Sequence, residues 1–278
     1  MSDLAPIGNL AISLLASLSI GTWCVIIFRL WQGQPVIPPR LTEPASWPAG
    51  AGLRAFVAAF IVPIFFAFAV QFDVARQPLG SNVHGVVILC LTSLTQILVC
   101  MGMLMLETRQ PWRQAIELKS MRWNYTLAIG ALGFLASLLP VFGVNLIVGW
   151  LGWHAPESRH PLLKMLENDN YSLVRAGIFV SAAILAPLAE ELMYRVALQT
   201  ELERYLSGGT ALVVTAGLFA GVHSLGGRPD ALPLLPLALI LGYVYRQTRS
   251  YPAVVVLHAL FNALNLAMTF LMKAPPPA

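Results

Sequence analysis

The chain has 278 residues, 57% of them hydrophobic and only 11% charged, where an ordinary soluble domain carries about 25% charged residues. That composition excludes a soluble globular domain and a disordered chain. The formal charge of +4, from 17 Lys and Arg against 13 Asp and Glu, is spread too thinly for a nucleic-acid-binding surface. It reads instead as membrane topology.

Uncharged runs count the spans. Residues 5–28, 55–72, 83–106 and 123–153 contain no Asp, Glu, Lys or Arg, and each approaches or exceeds the roughly 20 residues a helix needs to cross hydrocarbon. Residues 176–189, 205–227, 231–245 and 251–272 give four more, two of them short. The expectation is an all-α polytopic membrane protein with eight transmembrane helices, forming a single integral membrane domain over 1–278. The first run has no basic residue ahead of it and is longer than a signal-peptide core, so it is expected to be retained. Of the longer connections, 35–48 is proline-rich, and 161–166 within 154–170 reads as a short amphipathic interfacial helix.

Ten of the Lys and Arg residues fall after odd-numbered spans, among them Arg29, Arg54, Arg204 and Arg246, and six fall on the opposite side. By the positive-inside rule both termini face away from the cytoplasm. Cys24, Cys90 and Cys100 all sit inside spans, with no CxxC or Cys/His spacing, and read as small buried apolar side chains. The seven tryptophans fall mostly near span ends, as in an interfacial belt.

Polar residues are concentrated in the second half. The run 176–189 is too short to cross alone, so the expected helix carries Glu190 and Glu191 into the bilayer, where a carboxylate is retained only if it pairs or works. Glu191 and Arg195 are four apart and share a helical face, while Glu190 is turned about 100° away. Phe219 and His223, then His258 and Asn262, repeat the four-residue spacing. Gly217, Ala220 and Gly221 suggest a close approach by another backbone.

These residues fit EExxxR (190–195), FxxxH (219–223) and HxxxN (258–262). In that order they resemble the three motifs of the CPBP intramembrane proteases, the family of type II CAAX prenyl endopeptidases and bacteriocin-processing enzymes. The resemblance covers about residues 170–270, dividing the chain into N-terminal helices and an interfacial loop over 1–170 and a CPBP-like catalytic core over 171–272. It implies an intramembrane endopeptidase acting on a membrane-associated peptide or protein, of the CAAX-tail or leader-peptide kind, in a bacterial-type cell membrane. The alternative is a non-enzymatic scaffold or bacteriocin-immunity protein on the same fold.

The residue types supply the chemistry that peptide hydrolysis needs. Glu190 serves as general base, with His223 positioning or deprotonating the water. His258 and Asn262 donate to the developing oxyanion. Glu191 and Arg195 support Glu190, and Phe219 shapes the pocket. A metal version uses Glu190, His223 and His258 as ligands of a Zn2+ ion; the sequence leaves the two open, with the balance toward the metal-free form. Expected partners are the substrate and the lipid bilayer, with no nucleic acid.

Overall fold

The computed structural model describes residues 4–39, 47–74, 81–109, 123–153, 172–224 and 232–271. The interfacial helix expected over 161–166, with His154 and His160, lies outside them. Among the described residues there are eight helices: α1 (Leu4–Trp31), α2 (Ala51–Val74), α3 (Ser81–Thr108), α4 (Trp123–Trp150), α5 (Ser172–Leu202), α6 (Gly208–Ser224), α7 (Leu234–Thr248) and α8 (Tyr251–Leu271). Five of them (α1, α3, α4, α5 and α8) are long and apolar enough to cross a membrane. The protein is thus an all-α, multi-pass integral membrane protein.

The expected short fifth span is a 31-residue helix, so α5 carries Glu190 and Glu191 within a full crossing. It stands at the centre, touching α2, α3, α6, α7 and α8. Every side chain from Leu192 to Gln199 is buried, as expected of a helix enclosed on all sides. α5 is not a regular α-helix. Ser181–Leu185 and Leu192–Gln199 are π-helical and flank a short α-helical stretch, Ala186–Glu191. π-helical turns are rare and collect at functional sites.

In hydrocarbon, a carbonyl that loses its intrahelical donor must find another. Pro140 removes the N–H that would serve Ala136 in α4, and Trp23 of α1 donates its indole N–H to that carbonyl at 3.0 Å. Ser19, one turn earlier, donates to Leu135 O at 2.7 Å. The proline inside α4 therefore creates the docking site for α1. Trp23 is thus an interhelical donor, and Trp47, in the segment ahead of α2, likewise donates across to another helix. Only 2% exposed, Trp47 hydrogen-bonds Glu201 at the end of α5. Glu201 also accepts the backbone N–H groups of Gly50 and Gly52 and so caps the first turn of α2 from another helix.

Of the three small residues expected to allow a close approach at α6, Ala220 is buried, whereas no close approach is found at Gly217 or Gly221 among the described residues. A Cβ added at Gly217 or Gly221 meets nothing within 4 Å among the described residues, because both lie on the outward face of α6. The close approaches lie elsewhere. At Gly133 of α4 an added Cβ falls 2.4 Å from Leu257, and at Gly130 it falls 2.9 Å from Ala253 O. These two glycines bring α8 against α4, next to His258.

Candidate active site

The α5 backbone explains one site contact. In the first π-helical stretch the Ala186 N–H bonds Ser181 O. The next residue, Pro187, has no N–H, so Ala182 O is left without either nearby intrahelical donor. Asn262 of α8 donates its side-chain amide to that oxygen at 2.8 Å. At the exit from the second stretch, Thr200 Oγ1 similarly donates to Arg195 O at 3.2 Å.

Glu190 and Glu191 take opposite sides of one imidazole. His258 Nδ1 lies 2.8 Å from Glu191 Oε1, and its Nε2 lies 3.7 Å from Glu190 Oε2. Glu191 also pairs with Arg195, Oε2 to Nε at 3.3 Å. Arg195 and Glu191 have no exposed side-chain surface, and His258 has 4%. Glu191 thus has two partners where the spacing alone indicated one.

The other two groups face an accessible space. His223 Nε2 lies 4.0 Å from Glu190 Oε1, and these side chains retain 29% and 23% of their exposure. Phe219 O lies 2.7 Å from His223 Nδ1. A carbonyl can only accept, so Nδ1 carries the proton and Nε2 of the neutral ring presents a lone pair toward Glu190. A water donating to both Glu190 Oε1 and His223 Nε2, with two bonds of about 2.8 Å at its own angle, spans about 4.4 Å. The observed 4.0 Å is close to that span.

Phe219 joins the two histidines mechanically. Its ring packs 4.5 Å from His223, edge-on to His258 at 5.9 Å and to Tyr194 at 5.1 Å, and the Arg195 guanidinium lies 5.2 Å from its centroid. Tyr194 continues the stack onto Phe56 of α2. Sequence reasoning did not single out Tyr194 or Tyr251; for Tyr194 the available signal was its place inside the EExxxR motif. The structure therefore gathers Glu190, Glu191, Arg195, Phe219, His223 and His258, while Asn262 is engaged one step away at Ala182 O.

Two histidines and a glutamate are a catalytic zinc donor set, and each histidine has the partner on its other nitrogen, Phe219 O or Glu191, that metal-ligating imidazoles usually have. The spacing is looser than the chemistry. Donor atoms around tetrahedral zinc lie about 3.3 Å apart, against 3.7 and 4.0 Å here. Among the described residues no group of three or more His, Cys, Asp or Glu is arranged to hold a metal ion.

Fold and site together define a multi-pass membrane protein with a Glu/His/Arg cluster on three helices of its second half, buried at Glu191, Arg195 and His258 and accessible at Glu190 and His223. Residues 172–264 match the family described as "Type II CAAX prenyl endopeptidase Rce1-like", so the segment bearing all three motifs is similar to that family, in line with the resemblance of the motifs. The chain is 32% identical over 146 residues to the UPF0177 protein YaiF of Lactococcus lactis, covering 52% of this chain and 65% of that one. It is 32% identical over 87 residues to YaiH of the same organism, covering 31% and 35%. The chain thus spans less than two thirds of the length of these relatives. No solved structure matches it.

Proposed function

We propose that this protein is an intramembrane endopeptidase that hydrolyses a peptide bond of a membrane-associated protein or peptide, of the CAAX-tail or leader-peptide kind, in a bacterial-type cell membrane. The observation that carries the reading is the convergence of Glu190, His223 and His258 at 3.7 to 4.0 Å. The match of the motif-bearing residues to the endopeptidase family supports it.

Water held between Glu190 Oε1 and His223 Nε2 gives up its proton to this pair as its oxygen attacks the scissile carbonyl. Glu191, bonded to Nδ1, fixes the His258 ring so that Nε2 faces the same space. When Nε2 carries a proton, it is a donor for the oxyanion that forms. Asn262 has one amide proton on Ala182 O, and its second is the further donor. Proton return to the leaving amine completes the cycle through Glu190 or His223. Arg195, which remains paired with Glu191 throughout, keeps the buried carboxylate compensated.

The test is cleavage of a fluorogenic prenylated CAAX-type peptide, and of its unprenylated counterpart, by the full chain in vesicles. Glu190→Ala and His223→Ala are each expected to lower kcat by at least about 10²-fold. Cleavage at the wild-type rate by both variants refutes the assignment. We further propose that both termini face away from the cytoplasm; reporters fused at either end test this, and cytoplasmic termini overturn it.

A further inference from the structure

α8 brings a third polar group to α5. Tyr251, the first residue of α8, donates its hydroxyl to the backbone carbonyl of Leu188 at 2.8 Å. Leu188 lies two residues before Glu190, on the short α-helical stretch between the two π-helical ones. At the end of that stretch the Leu192 N–H is divided between Leu188 O and Ala189 O. Leu188 O therefore receives only part of the bond that an unbroken α-helix supplies. In apolar surroundings an under-bonded carbonyl is costly, and Tyr251 makes up the shortfall.

Tyr251, His258 and Asn262 are separated by seven and then four residues, about two turns and one turn, and so lie on one face of α8. All three engage α5: at Leu188 O, Glu191 Oε1 and Ala182 O respectively. The two backbone contacts tie down the segment leading into Glu190. Resting on the reading of Glu190 as general base, we infer that Tyr251 is a positioning residue. Its hydroxyl holds the turn carrying Glu190 and Glu191 in register with the His258 ring delivered by the same helix. Small movement of that turn alters the gaps from Glu190 to His258 and His223, on which a bridging water depends.

Tyr251→Phe removes the hydroxyl and keeps the ring. In the vesicle cleavage assay, kcat is expected to fall about tenfold, since misplacement of reacting groups by about 1 Å costs up to about 10²-fold. KM stays within about twofold of wild type, because no substrate contact is lost. A kcat equal to wild type, or a rise in KM that accounts for the whole loss, overturns the inference. If the wild type cleaves no faster than Glu190→Ala, the proteolytic reading itself has failed, and Tyr251 is judged without substrate. In 15N-histidine-labelled protein, exchange of the His258 Nδ1 proton with water is then expected to be about tenfold faster in Tyr251→Phe as the Glu191 contact loosens. Unchanged exchange overturns the positioning role.

Discussion

The Glu191–Arg195 pair gives the sharpest test of the architecture. Both side chains are fully buried and 3.3 Å apart, and Glu191 also accepts from His258. Glu191→Gln keeps the shape and removes the charge, leaving the Arg195 guanidinium uncompensated. Breaking a buried pair from one side costs about 3 to 5 kcal/mol. Removing both partners, as Glu191→Gln with Arg195→Met, takes the isolated charge away and leaves chiefly the weakened His258 contact, about 1 to 3 kcal/mol. The double variant is therefore expected to be more stable than either single one. Unfolding of the four proteins in one detergent gives the coupling directly. Additive losses, with coupling below about 0.5 kcal/mol, would mean that the pair is not compensating and that the account of the cluster is wrong.

Trp23→Phe should destabilise the protein by about 1 kcal/mol through loss of the bond to Ala136 O, and Pro140→Ala, which restores a backbone N–H there, should abolish that difference; equal losses in both backgrounds on thermal unfolding count against the docking argument. Gly133→Ala, whose Cβ would sit 2.4 Å from Leu257, is expected to cost about 1 to 3 kcal/mol and to slow cleavage through the neighbouring His258. Gly217→Ala on the open face should cost nothing and can gain up to about 1 kcal/mol of helix propensity; the reverse order in a thermal shift assay contradicts the packing described. Incubation with a strong chelator before the peptide assay should leave activity unchanged if the glutamate reading holds, whereas loss of activity restored by added Zn2+ would assign Glu190, His223 and His258 as ligands.

Much of this was open to reading from the sequence because the determining signals are local. Lipid demands runs of apolar residues, so each of the eight helices announces itself by an uncharged run within it, and Glu190 to Arg195, Phe219 to His223 and His258 to Asn262 stand out against that background. Helix faces were harder to read. A membrane core and the lipid around it are equally apolar, so the glycines that pack closely, Gly130 and Gly133, look no different in sequence from Gly217 and Gly221, which meet no close neighbour among the described residues. Tertiary structure alone decided which glutamate meets which face of His258, since that follows from helix crossing and from the two π-helical stretches in α5. It also decided that Trp23, Asn262 and Tyr251 donate to backbone carbonyls on neighbouring helices. Those carbonyls are left short of donors by Pro140, by Pro187 and by the shared Leu192 N–H. A proline in the sequence marks such a carbonyl, but only the packing of one helix on another determines which side chain reaches it.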